Sequence, residues 1–288
     1  MRMPWIEANE ARTLPGLRLV VTKGIPNPWS EAAKAVFDVK KIPWTPVPQR
    51  VMAPNAELRE WTGQTSAPVA ILDDEPPRTA WSGILHLAER LAPEPALVPT
   101  DPAERARMFG LLHELCGELG FGWCRRLHFA HAVISNGSPL KPIGEYIAGR
   151  YGYGLQPPAA IEARVRDLLR LFAAQLRGQY DAGRPFFLGE RLTALDLYWA
   201  TFAALIQPLP PELCPMSPKL ASNEIDPHKP SASRLCTGDY RPAAWTQDAR
   251  PADECGSPKV WEIGPAPATH FRVRAGRASH CTPTLRFR

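Results

Sequence analysis

The sequence has no long apolar run and no recognisable leader pattern. Its longest apolar stretch, around residues 192–206, is interrupted by Asp196 and is shorter than the ~20 residues that a membrane-spanning helix needs. Residues 1–12 contain two arginines and two glutamates but no apolar core, so we expect no signal peptide. These absences predict a cytoplasmic protein that contacts no membrane.

The sequence also has no clustered basic residues and no paired cysteine motif. Its 34 Lys and Arg residues outnumber 29 Asp and Glu residues, but they form no basic stripe with interleaved aromatics. We therefore expect no nucleic-acid partner. None of the six cysteines has CxxC spacing, which favours reduced thiols over a dithiol or a zinc knuckle. His128 with His131, and His113 with Cys116, have helical spacing but no third ligand, so we expect no metal.

A compact alternation of strands and helices is present in the first third of the chain. The pattern predicts the order β-α-β-α-β-β-α, with elements at 17–22, 30–39, 44–48, 54–62 and 68–72, a hairpin turn at 73–77 and a helix at 81–91. We therefore predict an α/β domain over residues 16–92, preceded by an N-terminal extension over 1–15.

The middle of the chain is helical. A Pro-rich linker at 93–101 leads into residues 102–215, where apolar residues recur at helical spacing. The predicted helices are one or two over 102–134, one over 141–149, one that starts at Pro157-Pro158 and a last one over 193–206. This part is predicted to be an all-α bundle.

The last part of the chain, residues 216–288, differs in composition. The final 69 residues contain nine Leu, Ile, Val, Phe or Met residues and eight prolines, without a repeating apolar spacing. Such a segment buries too little apolar surface to offset its ordering entropy, so we expect an irregular or disordered tail. Two origins are open, a natural disordered tail and a shifted reading frame.

The segment FLGERLTALD, residues 187–196, is the most specific motif. Thr193 and Asp196 stand at the positions of a capping box, in which each side chain binds the main-chain N–H of the other residue. By itself this pattern predicts only a well-capped helix.

Together with the element order and with Ala67-Pro68 before an apolar strand, that motif resembles the cytosolic glutathione S-transferase family over residues 16–215. The resemblance implies a thioredoxin-like N-terminal domain, an all-helical C-terminal domain and a cis bond before Pro68. It further implies glutathione as co-substrate, a small electrophile as the second substrate and a homodimer.

The loop-to-helix junction Asn27-Pro28-Trp29-Ser30 stands where thioredoxin-like proteins carry CxxC. Both cysteine positions are replaced, so an external thiol such as glutathione would have to react. The resemblance implies that Asn27 contacts this thiol, with Ser30 as the alternative hydroxyl, beside a helix N-terminus that favours the thiolate. The alternative reading is structural: Asn27 shapes a turn and Ser30 caps the helix.

For the rest of the tripeptide, the resemblance implies that the main chain of Ala67, before Pro68, pairs with the cysteinyl part. Ser82 would hold the γ-glutamyl carboxylate, but Trp81 replaces the acidic residue that usually precedes it. Asp73, Asp74 and Glu75 are the open substitutes. Arg50 and Gln64 are candidates for the glycyl carboxylate, and both can equally be solvated loop residues.

Aromatic residues of the helical part have two interpretations: an acceptor pocket or, as is commoner, helix-bundle core. They are Phe121, Trp123, Phe129, Tyr146, Tyr151 and Tyr153.

Two rivals to a transferase are open. One is a non-catalytic ligand-binding or scaffolding module on the same fold, which the replacement at Trp81 favours. The other is a non-functional product, if a frameshift created the tail.

Overall fold

A computed structural model describes residues 4–207 of the chain and three strands beyond them, at 259–265, 271–277 and 286–287. The described residues up to 207 divide into two compact units: the first comprises residues 4–97 and the second residues 98–207. In the described residues no helix combines the length and the hydrophobicity that a membrane crossing requires.

The first unit is built around a three-stranded sheet of order β2-β1-β3. Its elements are α1 (Ala8–Ala11), β1 (Leu17–Thr22), α2 (Pro28–Val39), β2 (Thr45–Gln49), α3 (Ala56–Thr62), β3 (Val69–Leu72) and α4 (Trp81–Leu91). β2 pairs parallel to β1 and β3 antiparallel to it. The predicted thioredoxin-like α/β architecture is confirmed.

The predicted fourth strand is reduced to a single bridge between Ala70 and Arg78. Each of these residues donates its N–H to the carbonyl of the other, at 3.0 and 2.8 Å. The next hydrogen-bonded pair of an antiparallel ladder would use Pro76, which has no N–H, so the ladder stops.

Every residue of β1 is buried, so both faces of the sheet are covered. α2 buries the predicted apolar face of Ala33, Val36 and Phe37. A separate apolar cluster joins the N-terminal segment and α3 to the sheet; its buried members are Ala8, Ala11, Val20, Val47, Leu58, Val69 and Ile71.

A buried lysine ties the end of α2 to the segment that follows α4. The Lys40 side chain is fully buried, and its ammonium lies 2.7 Å from the Glu89 carboxylate. The same ammonium donates to the carbonyls of Ala92 and Pro95, at 2.6 and 2.9 Å. The start of the predicted linker is therefore held by specific bonds rather than left as a free loop.

The second unit is all-helical, as predicted. Its helices are α5 (Pro102–Cys116), α6 (Phe121–Ser135), α7 (Lys141–Tyr151), α8 (Pro158–Asp181) and α9 (Ala194–Phe202), and a 3-10 turn at Ala203–Leu205 follows. The break between α5 and α6 depends on close backbone approach, because a Cβ on Gly117 or Gly120 would lie 2.7 Å from the His113 carbonyl oxygen. The 102–134 pattern is thus two helices.

The predicted capping box at the start of α9 is present. The buried Asp196 carboxylate also accepts from the Phe187 N–H at 2.9 Å, and from the N–H and hydroxyl of Thr193, each at 2.8 Å. One side chain thereby joins the FLG segment to the helix. Burial raises the pKa of Asp196 to about 6, although these hydrogen bonds oppose the shift.

Most of the tail predicted to be irregular, residues 216–288, lies outside the described residues. The described parts are β4 (Lys259–Pro265), β5 (Phe271–Arg277) and β6 (Arg286–Phe287). β4 pairs antiparallel with β5 and parallel with β6.

We predict that Asp196→Asn changes how stability depends on pH. The pKa of Asp196 is about 6 in the folded state and about 3.9 in an unfolded chain, so between these values only the folded state holds the proton. Acidification from pH 7 to pH 5 should therefore stabilise the wild type by about 1 kcal/mol relative to Asp196→Asn. Urea unfolding of both proteins at both pH values measures this, and equal shifts in the two would contradict it.

Candidate functional site

One end of the sheet in the first unit collects all the predicted site residues. Thr22 and Gln49 are paired at the carboxyl ends of the parallel strands β1 and β2. β3 runs the opposite way, with Val69 opposite Val20, so the residues before Val69 lie at this same end. After the Ala70–Arg78 bridge the chain returns antiparallel to β3 and starts α4 there. We call this region the carboxyl end of the sheet.

A buried polar network at the carboxyl end joins β1, β2 and the first turn of α2. The Thr22 hydroxyl donates to Gln49 Oε1 at 3.2 Å and accepts from Asn27 Nδ2 at 3.2 Å. Ser30 Oγ accepts from the Thr22 N–H at 3.2 Å and lies 3.4 Å from the Thr22 hydroxyl. Gln49 Nε2 in turn donates to the carbonyls of Arg50 and Thr65. The network therefore fixes the loops after both strands.

Within this network Asn27 is the N-cap of α2. Its Oδ1 accepts from the Trp29 N–H at 3.1 Å, and Pro28 occupies the first helical turn, where its missing N–H costs nothing. An amide nitrogen carries two hydrogens, of which Thr22 accepts one. Asn27 is therefore the helix cap, a role that the structural reading gave to Ser30, and its amide has a second N–H to donate at the helix N-terminus.

Ser30 has its side chain directed into the protein. The residue is 0% exposed, and its hydroxyl is engaged with Thr22. It does not cap α2, since Asn27 does so. The geometry makes Ser30 a residue that holds Thr22, and through Thr22 the Asn27 amide.

The Ala67–Pro68 bond is cis, as the resemblance implies. Ala67 is half-buried, and Pro68 is buried. Among residues 4–207, the main chain of Ala67 has no hydrogen-bond partner, because the ladder of β3 begins only at Val69. An N–H and a C=O are thus left for an extended ligand to pair with.

The N-terminus of α4 supplies a second set of donors at the carboxyl end of the sheet. α4 begins at Trp81, and its N-cap residue Ala80 is extended and gives no side-chain cap. Ser82 is half-buried in this first turn. The N–H groups of a helix N-terminus together with a hydroxyl favour an anion.

Arg50 and Gln64 are also at the carboxyl end of the sheet, but Arg50 already has a partner. Its guanidinium donates to both carboxylate oxygens of Glu7, at 2.9 and 2.6 Å. This contact holds the pKa of Glu7 below its usual value. Gln64 Oε1 accepts from the Ser66 hydroxyl at 3.4 Å.

The three acidic residues that were open as substitutes for Trp81 lie at the opposite end of the sheet. Asp73 follows the last residue of β3, and its Oδ1 accepts from the Gly16 N–H, before β1. Asp74 follows Asp73 directly. Glu75 is paired with Arg78 and with Arg90, near the C-terminus of α4. None of them can take the place of an acid at position 81.

Both histidines of the His128–His131 pair have protein partners. Arg125 Nη1 lies 2.7 Å from His128 Nδ1, and since a guanidinium only donates, that nitrogen is the acceptor and the ring is neutral. His131 Nδ1 lies 2.8 Å from the Tyr153 hydroxyl. In the described part of the chain no three His, Cys, Asp or Glu side chains are grouped to hold a metal ion.

The aromatic residues of the second unit are not alike in burial. Phe121 is 0% exposed and belongs to the core. Trp123 donates its indole N–H to the Tyr151 carbonyl and packs edge-on against the Tyr151 ring, with centroids 4.8 Å apart. Tyr146 stacks with Arg150, and Tyr153 is exposed. For Phe121 the core interpretation is therefore correct.

No protein-family model and no curated protein sequence matches the chain. Solved structures do match it. A glutathione S-transferase domain-containing protein of Marinobacter aquaeolei VT8 is 17% identical, with a TM-score of 0.50, and the match covers 77% of this chain and 98% of that chain. A tau class glutathione S-transferase of mango, Mangifera indica, is 18% identical over 78% of this chain and 90% of that chain, with a TM-score of 0.47.

Ure2p in complex with glutathione is 16% identical over 77% of this chain and 98% of that chain, with a TM-score of 0.48. The likeness to the Marinobacter protein, together with the order of strands and helices, shows that this chain has the glutathione S-transferase fold. It is a thioredoxin-like unit followed by a helical unit.

Sequence reasoning did not find Thr22, Gln49 or Glu7. Thr22 and Gln49 are polar residues that end apolar strands immediately before Pro- or Arg-containing loops, and that position was the available signal. Glu7 lies 43 residues from Arg50, and no local pattern connects the two.

We predict that Ser30→Ala destabilises the first unit by about 1–3 kcal/mol, because the Thr22 N–H loses its buried acceptor. The matched control is Ser82→Ala, a half-buried serine in the first turn of α4, which should change stability by less than about 0.5 kcal/mol. Urea unfolding measures both. Ser30→Ala with wild-type stability would mean that the Ser30 hydroxyl is not a structural member of the network.

Proposed function

We propose that this chain binds glutathione as a co-substrate at the carboxyl end of the sheet and stabilises its thiolate for attack on a small electrophile. The observation that carries the proposal is the main chain of Ala67, unpaired within residues 4–207, at the same end of the sheet as the N-terminus of α2 and its cap Asn27. An extended thiol peptide that pairs with Ala67 there would carry its sulfur toward the helix N-terminus.

Three sets of groups would hold the tripeptide. Ala67, before Pro68, would exchange main-chain hydrogen bonds with the cysteinyl residue. Ser82 and the open N-terminus of α4 would bind the γ-glutamyl carboxylate. Arg50 and Gln64 would bind the glycyl carboxylate, because both lie in loops that hydrogen bonds from Gln49 hold at this end of the sheet.

The thiolate would be stabilised by Asn27 and the N-terminus of α2. The second Nδ2 hydrogen of Asn27 can donate to sulfur, and the helix dipole favours the negative charge. Ser30 acts through Thr22 as a positioning residue. In the reaction the thiol proton leaves to solvent, and the sulfur lone pair forms a bond to the electrophilic carbon. In a substitution the leaving group departs with the electron pair of its bond; in an addition the π pair of the attacked double bond moves to the neighbouring atom, which takes a proton from solvent.

Trp81 favours the second candidate function, a non-catalytic ligand-binding or scaffolding module. Asp73, Asp74 and Glu75 lie at the opposite end of the sheet, so none of them can serve as the counter-ion for the ammonium group of glutathione. A chain that binds glutathione without turnover would fit this candidate.

By the same resemblance we propose a homodimer in the cytoplasm. The small electrophile is the second partner in this proposal, and no metal, nucleic acid or membrane takes part in it.

We predict that bound glutathione has a thiol pKa about one unit below its value of ~8.5 in water, because a helix N-terminus and one N–H donor favour the anion. Asn27→Asp should abolish this depression. Asp is as good an N-cap as Asn, so the helix keeps its cap, but a carboxylate offers no N–H and repels the thiolate. Ultraviolet titration of the thiolate in the complex, with binding followed by calorimetry, measures the effect.

Asn27→Ala is the second variant, in which both the cap and the donor are lost. Equal thiol pKa values in the wild type and in Asn27→Asp would contradict the role of Asn27. Binding with no depression of the thiol pKa in the wild type would favour the binding module. Absence of binding up to tens of millimolar glutathione would overturn the proposal altogether.

A second prediction concerns the missing acid. Trp81→Glu should tighten glutathione binding about tenfold, because a buried or half-buried charge pair with the ammonium contributes about 1–2 kcal/mol and an acid is favoured in the first turn of a helix. Trp81→Gln is the matched control, of similar size without charge, and should not tighten binding. Calorimetry at low salt compares the three proteins; equal gains in both variants would show that removal of the indole, not the charge, is responsible.

A further inference from the structure

The N-terminal segment of the chain is docked on the thioredoxin-like unit rather than extended from it. The Ile6 N–H donates to the Pro46 carbonyl of β2 at 3.0 Å. Ala8 and Ala11 are buried in the apolar cluster of α3 and the sheet, with Ile6 packed against it. Both neighbours of Glu7 in the sequence are thus held in place.

This docking places Glu7 against Arg50. The two side chains form a bidentate pair at 2.6 and 2.9 Å, and the Arg50 and Glu7 side chains are 48% and 57% exposed. Lys23, which follows β1, lies close enough to Glu7 to favour its charged form. A carboxylate of the chain itself therefore pairs with Arg50 at the carboxyl end of the sheet.

We propose that Glu7 is an intramolecular competitor for Arg50, which sets the affinity of the site for carboxylate-bearing ligands. The inference rests on the proposed function, in which Arg50 receives the glycyl carboxylate of glutathione. Glu7 holds the end-on pair of donors, Arg50 Nη1 and Nη2. A ligand carboxylate that takes this same pair of donors must displace Glu7. The ligand replaces an existing ion pair instead of adding one.

Two consequences separate this arrangement from an ordinary surface ion pair. A ligand carboxylate gains less binding free energy from Arg50 in the wild type than it would from an unpaired arginine, because it must first displace Glu7. Glutathione and its glycyl ester, which lacks that carboxylate charge, should therefore bind with similar affinity. Because an exchange of partners leaves the number of ion pairs unchanged, binding should also depend weakly on salt. Both properties should change when Glu7 is neutralised.

The test uses the full chain, its Glu7→Gln variant and a Glu57→Gln control, titrated by calorimetry with glutathione and with its glycyl monoethyl ester. Glu57 is an exposed acid in the first turn of α3 that also acts on Arg50 through its charge, without a bidentate contact. Glu7→Gln should tighten glutathione about two- to fivefold, leave the ester unchanged and make glutathione binding more salt-dependent. Glu57→Gln should change the affinities for glutathione and for the ester only slightly and by the same factor.

The outcomes separate the inference from the proposed function. The competitor role is wrong, and the proposed function stands, if the wild type binds glutathione but Glu7→Gln binds it no more tightly. The same conclusion follows if Glu7→Gln raises the affinity for the ester as much as that for glutathione. If none of the three proteins binds glutathione or its ester, the proposed function is wrong and the competitor role falls with it.

Discussion

The site depends on one buried hydroxyl, that of Thr22, through which the ends of β1 and β2 and the first turn of α2 are joined. The hydroxyl donates to Gln49 and accepts from Asn27, while the Thr22 N–H is satisfied by Ser30. Buried polar groups are costly unless they are paired, so this set is stable only as a whole. The bond from Asn27 to Thr22 orients the Asn27 amide at the N-terminus of α2. The bonds from Gln49 to the carbonyls of Arg50 and Thr65 hold the loops that carry these residues.

The charges around this network are unbalanced in a way that bears on the ligand. Two helix N-termini and Arg50 favour anions, whereas Asp73 and Glu75 are bound to groups at the other end of the sheet. In the proposed complex, Trp81 stands where the resemblance implies an acid that would pair with the ammonium group. Under the proposed function, the site would therefore suit the two carboxylates and the thiolate of glutathione better than its amine, and Glu7 would compete for one of the carboxylate contacts.

The sequence predicts the elements well where local chemistry decides them. The Thr193–Asp196 box, the start of α8 at Pro158 and the apolar face of α2 all follow from short-range patterns, and each is present. Apolar periodicity does not determine whether residues 102–134 form one helix or two, because the break between α5 and α6 depends on the close approach of Gly117 and Gly120 to the His113 carbonyl. The Glu7–Arg50 pair, the burial of Ser30 and the distance of Asp73 from the site are consequences of tertiary packing, so no single stretch of sequence contains them.

The central claim is that a thiol tripeptide binds at the carboxyl end of the sheet, and chemical-shift mapping of the isotope-labelled chain with glutathione tests it most directly. The account predicts that the amide signals of Asn27, Ala67 and Ser82 move together along one binding curve, while those of Asp73 and Glu75 at the opposite end of the sheet stay in place. Shifts centred on the opposite end of the sheet or confined to the helical unit would contradict it, and so would no shift at saturating glutathione.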